Sequence, residues 1–167
     1  MASTLKVNTI QHTGGTTGMT IDSAGRILTP TRPAFKASIN TTTGRDTHTS
    51  VQTTPYDTVQ VNIGNHYNNS TYTFTAPITG TYYFSTSQNK YGKLILYLYK
   101  NGGVYHAGEF LQDSGAAWEH CTIATIIDLN ANDTIQPKHK LVNNSSTQYA
   151  WNGGSTTWDS FSGFLIG

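Results

Sequence analysis

The nine acidic side chains of this 167-residue chain are the first candidates for catalysis, because hydrolases often use paired carboxylates. They are scattered, and no two stand in a repeated or motif-like context. Glu119, His120 and Cys121 bring an acid, a base and a thiol together in the sequence. Neighbouring residues of a strand point to opposite faces, so His120 cooperates with neither of them. Since neither a glycine-rich phosphate loop nor an HExxH motif occurs, we expect a protein that is not an enzyme.

Four histidines are candidates for metal binding: His66, His106, His120 and His139. In an assembly with a three-fold axis, one ligand would be repeated three times, so such a site leaves no spacing signature in the sequence. A solvated or hydrogen-bonded histidine is the alternative for each of them. We therefore assign no metal ligand and predict no cofactor.

Aromatic residues in polar segments are the remaining candidates, and they favour binding over catalysis. Residues 142–157 form a long polar segment that carries a tyrosine and a tryptophan. Aromatic rings stack on sugar faces and anchor protein contacts, and binding residues often lie on loops of a rigid scaffold. The predicted receptor-binding residues are Tyr91, Tyr149, Trp151, Asn152 and Trp158. A loop folded over its own aromatic side chains is the alternative, and the sequence leaves it open.

Composition excludes several classes of partner. Charged residues make up 11% of the chain and the net charge is +1, so no basic surface is expected to attract nucleic acid. No apolar run reaches the ~18 residues of a membrane helix, so we expect no membrane insertion. The first six residues start no apolar segment, and we expect no secretory signal. The single cysteine, Cys121, is typical of a small buried hydrophobic residue.

The elements that position these side chains are predicted to be β-strands. Ser, Thr, Asn and Gly dominate the polar residues, which favours extended structure and turns over helix. Val59, Val61 and Ile63 alternate with polar residues, so we expect them on one face of a strand in a sandwich core. After a turn at 76–80, residues 81–84 carry aromatic side chains on both faces of the next strand. Further strands are predicted at 34–39, 104–110, 118–129, 134–141 and 158–166. In the strand at 118–129, one face carries Cys121, Ile123, Ile127 and Leu129, and the other carries Trp118, His120, Ala124 and Ile126.

Residues 93–100 predict a strand that is apolar on both faces. Leu94, Leu96 and Leu98 face one way, and Ile95, Tyr97 and Tyr99 face the other. One face of a two-layer sandwich meets the opposite sheet, so the second face needs a different partner. A second subunit is the natural candidate, and the predicted subunit interface consists of Ile95, Tyr97, Tyr99 and Tyr82.

Seven residues of the central stretch stand at characteristic intervals: Tyr56, Asn62, Tyr67, Phe74, Gly80, Tyr82 and Phe84. These intervals resemble the signature of the complement C1q-like globular domain, a relative of the tumour necrosis factor jelly rolls. Two positions depart from it, since Tyr56 stands where the family usually has Phe and Thr86 where it usually has an aromatic residue. The resemblance implies an all-β, ten-stranded antiparallel jelly-roll sandwich, a homotrimer, and calcium near the apex of some relatives.

A jelly roll sorts its loops into two ends. The short turns at 76–80, 101–103 and 130–133 are predicted at the base, where the preceding N-terminal segment also lies. The loops at 88–92, 111–117 and 142–157 are predicted at the opposite, distal end. Because the last loop is long and rich in amides and aromatic residues, we expect binding at the distal end.

Residues 1–32 are predicted to form an extended N-terminal arm that precedes the domain at 33–167. Its few apolar residues cannot form a core alone, so the arm is either disordered or intertwined with copies from other chains. Its sequence resembles the N-terminal segments of tail-fibre-like structural proteins of bacteriophages, cyanophages and other marine phages among them.

The resemblance implies a virion protein, released by host lysis, whose arm binds other virion proteins and whose distal loops bind a glycan or protein of the host surface. A trimeric capsid-decoration or appendage protein with a purely structural role is the first alternative. A secreted bacterial lectin-like module is the second, and it lacks the signal sequence that secretion would require.

Overall fold

A computed structural model describes residues 5–40, 46–111, 118–142, 150 and 158–167, and the described residues contain strands but no helix. Three strands lie in the arm: β1 Thr9–Gln11, β2 Thr17–Ile21 and β3 Ile27–Leu28. The next five are β4 Ala34–Ser38, β5 Gln52–Thr53, β6 Thr58–Ile63, β7 Tyr67–Asn68 and β8 Thr73–Thr75. The last six are β9 Gly80–Lys90, β10 Leu94–Lys100, β11 Gly103–Phe110, β12 Glu119–Leu129, β13 Thr134–Leu141 and β14 Ser160–Leu165.

Strands β4 to β14 form two antiparallel sheets. The five-stranded sheet has the order β12-β9-β14-β4-β6, and the six-stranded sheet has the order β11-β10-β13-β8-β7, with β5 paired to β13. This arrangement confirms the predicted all-β antiparallel sandwich. The described sandwich contains eleven strands where ten were expected, and β5 is a pairing of only two residues.

The core lies between the two sheets and is built from aromatic rings. The Phe35 ring stacks on Tyr67 at 4.8 Å between centroids and meets Phe161 edge-on, also at 4.8 Å. Phe74 from the opposite sheet meets Phe84 edge-on at 5.3 Å. Offset and edge-to-face pairs of this kind add to the stabilisation that burial of apolar area provides. These five rings come from five different strands, so the cluster connects both sheets.

The two departures from the family signature contact each other. Tyr56 is fully buried. Its hydroxyl lies 2.8 Å from the Thr86 Oγ1 and donates to the Ser87 carbonyl at 2.8 Å. The Tyr67 hydroxyl donates in turn to the Tyr56 carbonyl at 2.7 Å. A buried phenol hydroxyl needs a hydrogen-bond partner, and Thr86 supplies one where an aromatic residue would not.

The predicted alternation along β10 and β12 is confirmed. Leu94, Leu96 and Leu98 are buried, and Ile95 and Tyr97 are half-buried on the other face. On β12, the predicted inward set is buried: Cys121, Ile123, Ile127 and Leu129. His120, Thr122, Ala124 and Ile126 face outward.

Two predictions about which face is buried require correction. Val59, Val61 and Ile63 are exposed on the edge strand β6 and do not reach the core. A register shift at Gln60 in the pairing with β4 also interrupts their alternation. Tyr82, predicted at the subunit interface, is fully buried, and its hydroxyl donates to the Ile78 carbonyl at 2.8 Å. Its ring therefore offers no surface to a second subunit, and the neighbouring Tyr83 faces outward instead.

The predicted base turns meet at one end. Asn132 donates its N–H to the Ala76 carbonyl at 2.7 Å, and the Asn101 amide donates to the Asp133 carboxylate at 2.8 Å. The turn between β10 and β11 has positive φ at both Asn101 and Gly102, as a tight two-residue hairpin requires. Leu165 N–H donates to the Pro33 carbonyl at 3.0 Å, so the start of the domain lies at this end too.

The arm segment forms a small antiparallel sheet of its own, in the order β1-β2-β3. Its turns use Gly15 and Gly25, both with positive φ, and Asp22 caps the second turn by accepting from the Arg26 guanidinium at 2.6 Å. Most of its apolar side chains are exposed, Ile27 at 64% and Leu28 at 48%. This sheet therefore has no apolar core of its own.

Candidate functional site

The outer face of the five-stranded sheet carries a continuous apolar row near the base. Each strand contributes one residue, and each is the cross-strand partner of the next. In sheet order, this apolar row is Ile126, Tyr83, Phe164, Ala34 and Ile63. Ile126 is 58% exposed and Phe164 is 45% exposed. Apolar side chains that line up across an exposed sheet are typical of an interaction surface.

Further along the same face, the row becomes polar. The equivalent cross-strand set nearer the distal end is Thr122, Ser87, Ser160, Ser38 and Thr58. The Ser87 and Ser160 hydroxyls lie 2.9 Å apart. Asn89 lies six positions after Tyr83 on β9, which at ~3.3 Å per residue places the two ends of the face about 20 Å apart.

A pocket lies at the distal end of this face and begins at the hydroxyl residues Ser87 and Ser160. This distal pocket is a cavity of about 570 Å³. Its lining residues are Ser87, Asn89, Trp118, His120, Trp158 and Ser160. The size lies within the range of small-molecule sites, and the lining combines aromatic rings with amide and hydroxyl groups, as such sites usually do.

Cross-strand pairing brings the lining residues together. His120 on β12 pairs with Asn89 on β9, and its ring Nε2 lies 2.6 Å from the Trp158 carbonyl just before β14. A carbonyl only accepts, so this Nε2 carries the proton and donates. The Trp118 ring meets Tyr91 edge-on at 5.7 Å. Both tryptophans therefore have a fixing contact: the Tyr91 ring packs on Trp118, and His120 donates to the backbone carbonyl of Trp158.

Beneath the pocket lies a layer of buried polar groups that lack hydrogen-bond partners. Both side-chain atoms of Gln88, the Asn89 Nδ2 and the Asp159 Oδ2 are unpartnered. Burial raises the pKa of the Asp159 carboxyl to about 6, although its other oxygen accepts the Asn89 N–H. Each unsatisfied buried group costs about 1–3 kcal/mol. Such a concentration of unsatisfied groups is more typical of a binding site than of a structural core.

Cys121 lies next to this layer and is buried, as predicted. Its thiol donates to the Gln88 carbonyl at 3.1 Å. Burial raises the pKa of the thiol to about 12, so Cys121 stays protonated and unreactive near neutral pH.

Of the predicted receptor-binding residues, Trp158 lies at the pocket and is 51% exposed. Tyr91 packs on the pocket residue Trp118. Tyr149, Trp151 and Asn152 lie outside the described residues. The pocket also contains Ser87, Asn89, Trp118, His120 and Ser160, which sequence reasoning did not assign to a site. Only the register between β9, β12 and β14 reveals them, although the outward direction of Trp118 and His120 was predictable.

The predicted interface residues on β10 lie on the outer face of the six-stranded sheet. Ile95 pairs with Lys140 and Glu109, and the Lys138 ammonium lies 4.6 Å from the centroid of the Tyr99 ring. Charged neighbours keep this face hydrated, and long lysine side chains cover part of the rings. The apolar row is thus a second candidate for subunit contact, and it has fewer charged neighbours.

Asp46, His139 and Thr54 are hydrogen-bonded in the sequence acid, histidine, hydroxyl that is typical of a hydrolase triad. The His139 Nε2 lies 2.7 Å from the Asp46 carboxylate, and its Nδ1 lies 3.0 Å from the Thr54 hydroxyl. Burial would raise the pKa of Asp46, but hydrogen bonds from His139 and from the His48 N–H hold it at about 2. His139 and Thr54 are almost fully buried, so a substrate cannot reach this hydroxyl. The group instead fastens residues 46–48 to β13 and, through the Asp46 carbonyl, to the Ala150 N–H at 3.0 Å.

The calcium that the sequence resemblance implies is assigned no ligands. Within the part of the chain that the structure describes, no three His, Cys, Asp or Glu side chains are placed to hold a metal ion. Over the same residues, no helix is long and apolar enough to cross a membrane.

Comparison with known proteins agrees with this architecture. The family described as "C1q domain" matches residues 34–166. The fold is similar to the globular domain of the zebrafish complement 1qA protein, with 16% identity and a TM-score of 0.64 over 81% of this chain and 98% of that chain. It is also similar to murine APRIL at pH 5.0, with 10% identity and a TM-score of 0.60 over 81% of this chain and 99% of that chain. At these identities the structural likeness shows the jelly-roll fold alone.

Proposed function

The chain belongs to the C1q domain family, and from that premise we propose that it is a homotrimeric, non-enzymatic attachment module of a bacteriophage particle. In this proposal the distal end binds a glycan on the host surface, and the base end joins the particle through residues 1–32. The observation that carries the proposal is the distal pocket, whose tryptophans lie at the end of the sandwich opposite Pro33.

The apolar row supports the trimer. Ile126, Phe164 and Ile63 would be hydrated in a monomer, and a second copy would bury them. Subunits related by a three-fold axis use two different surfaces in each contact, so the row need only match another patch of the same chain. We therefore assign the contact to the apolar row in preference to Ile95, Tyr97 and Tyr99.

A trimer would present three equivalent pockets at one end of the molecule. Simultaneous engagement of linked sites can strengthen binding by ~10²–10⁴-fold without any new contact. Weak affinity of each pocket for a single sugar would therefore suffice for attachment to a surface that carries many copies of that sugar.

A competition assay tests recognition. Excess soluble protein added to host cells should reduce adsorption of phage particles that carry the chain, because both compete for the same receptors. Particles should contain peptides of the chain when analysed by mass spectrometry. Tyr149→Ala/Trp151→Ala protein would test whether the loop residues contribute to that competition, with Tyr105→Ala as an exposed aromatic control on β11.

Particles that contain the chain but adsorb unchanged in the presence of excess protein would favour the second candidate, a capsid decoration. The exposed apolar side chains of the arm sheet, among them Ile27 and Leu28, support that candidate, since they suit a surface covered by another virion protein. Purified particles that lack the chain would contradict both.

A further inference from the structure

We propose that the distal pocket binds a single uncharged pyranose ring, a ligand class that deepens, and rests on, the attachment function proposed above. The pocket is formed by side chains of three adjacent strands and the residues just beside them, so its geometry is set by the sheet. A rigid sheet surface positions binding groups more precisely than a loop does.

The walls suit the apolar side of a sugar. Trp118 and Trp158 both line the cavity, and Trp158 keeps half of its surface exposed although it is apolar. Sugar rings have C–H faces that stack on aromatic rings, and indoles are the largest such rings. Because His120 fixes the Trp158 backbone and Tyr91 packs on Trp118, little order would have to be gained on binding.

The floor suits the hydroxyl side of a sugar. Ser87 and Ser160 present neighbouring hydroxyls, which both donate and accept. Asn89 lines the cavity, is only 6% exposed, and has an Nδ2 without any partner. A donor left unsatisfied in this way is costly to bury, and a ligand hydroxyl that reached it would restore the missing bond.

The charge of the site selects against acidic sugars. Asp159 lies behind the floor, where one carboxylate oxygen accepts the Asn89 N–H and the other has no partner. Burial raises its pKa to about 6, so the group is mostly ionised at pH 7.5. A carboxylated sugar placed above it would be repelled at low local dielectric, whereas a neutral ring would not.

Nuclear magnetic resonance of the ¹⁵N-labelled protein tests the pocket, because each of the three tryptophans gives one indole N–H signal. Single Trp→Phe changes at 118, 151 and 158 assign the signals. The probes are the methyl glycosides of glucose, galactose, mannose, rhamnose and N-acetylglucosamine, with N-acetylneuraminic acid as the acidic comparator. We expect at least one neutral glycoside to shift the Trp118 and Trp158 signals at millimolar concentration, and the acidic sugar to shift them less.

Trp158→Ala should weaken the binding of that glycoside at least ~10-fold, while the matched Tyr105→Ala leaves it unchanged. The pocket assignment is overturned if no neutral glycoside moves either signal, if the acidic sugar binds more tightly, or if Trp158→Ala binds as well as the wild type. The adsorption competition assay tests the proposed attachment function independently of glycoside binding. Competition without glycoside binding would refute the pocket alone, and glycoside binding without competition would refute the attachment function alone.

Discussion

Tyr56 and Thr86 are two buried side chains whose hydroxyls contact each other. Each differs from the residue usual in the family, and their hydroxyls are hydrogen-bonded in the core. Tyr56→Phe leaves the buried Thr86 hydroxyl without this partner, whereas after Thr86→Val the Tyr56 hydroxyl still donates to the Ser87 carbonyl. The two changes made together leave neither hydroxyl in the core.

Tyr56→Phe should therefore lower the free energy of unfolding by about 1–2 kcal/mol, measured by urea denaturation at fixed protein concentration. Thr86→Val should cost less, because the Tyr56 hydroxyl keeps its hydrogen bond to the Ser87 carbonyl. The double variant Tyr56→Phe/Thr86→Val should lose clearly less than the sum of the two single changes. Additive losses would show that the two hydroxyls do not interact, and Tyr105→Phe at the surface provides the control.

The raised pKa of Asp159 should give the free energy of unfolding an unusual dependence on pH. Its pKa of about 6 in the folded protein lies above the ordinary value of 3.8, so the folded state holds this proton more tightly than the unfolded chain does. Between about pH 4 and pH 6 the contribution of Asp159 to stability thus falls as the pH rises. Stability that rose with pH on account of this carboxyl would contradict the assignment.

Asp159→Asn isolates that contribution, because the amide stays neutral and its oxygen can still accept the Asn89 N–H. Relative to the wild type, the variant should gain roughly 2 kcal/mol of stability between pH 4 and pH 7. Denaturation curves of both proteins over that range measure the difference. A difference that does not change with pH would show that the carboxyl is not desolvated.

At the scale of the element, β14 is packed so closely that one of its positions must be glycine. A Cβ at Gly163 would lie 2.5 Å from the Phe84 ring and 2.9 Å from the Phe35 ring, both of which belong to the aromatic core. Gly163→Ala should consequently destabilise the domain by about 1–3 kcal/mol. Ser162→Ala, one residue away on the outward face, should stay within about 0.5 kcal/mol of the wild type in the same thermal unfolding experiment.

The strands also show what a sequence can and cannot predict. Alternation located β10, β12 and β13 and correctly grouped the residues of β10 and β12 into two faces, because their apolar residues recur with a period of two. The same period in Val59, Val61 and Ile63 wrongly predicted burial, since β6 is an edge strand whose pairing with β4 shifts register at Gln60. Tyr82 and Tyr83 are both aromatic, so their alternation could not say which of them is buried.

The candidate site was only partly predictable for a related reason. Trp158 could be chosen because it stands beside a long polar loop at the predicted distal end, and Trp118 and His120 could be placed together on one face of their strand. What joined them was the pairing of β12 with β9 and of β9 with β14, over 29 to 73 residues of sequence. Pairing between strands so far apart has no local signal.

At the scale of the whole molecule, the two ends of the sandwich differ: one end carries the base turns and the other carries the distal pocket. The turns after β8, β10 and β12 meet at the base beside Pro33, while Trp118, His120 and Trp158 meet at the other end. The predicted meeting of the base turns is confirmed, whereas most of the predicted distal loops at 111–117 and 142–157 lies outside the described residues. A jelly roll with this polarity can be attached at one end and can bind at the other.

Phe164→Lys tests the assembly at this scale, because it places a charge in the centre of the apolar row. We expect the mass in solution to fall from three times 18.2 kDa to that of the single chain, as measured by light scattering. Tyr97→Lys on the opposite sheet is the matched control and should leave the trimer intact. The reverse outcome would return the interface to Ile95, Tyr97 and Tyr99.

The same variant should separate affinity from avidity. A monomeric Phe164→Lys protein keeps its distal pocket, so it should bind a soluble glycoside as the wild type does but compete with phage adsorption far less well.

The gradient along β9, from Tyr83 in the apolar row to Asn89 in the pocket, bears on how such a protein can evolve. Changes at sites about 20 Å apart that share no partners combine nearly independently. Under the proposed attachment function, changes of the distal residues would alter the range of hosts and leave the subunit contact in the apolar row unchanged. Because β9 contributes to both surfaces at opposite ends, mutation and selection could change the distal pocket and the apolar row one at a time.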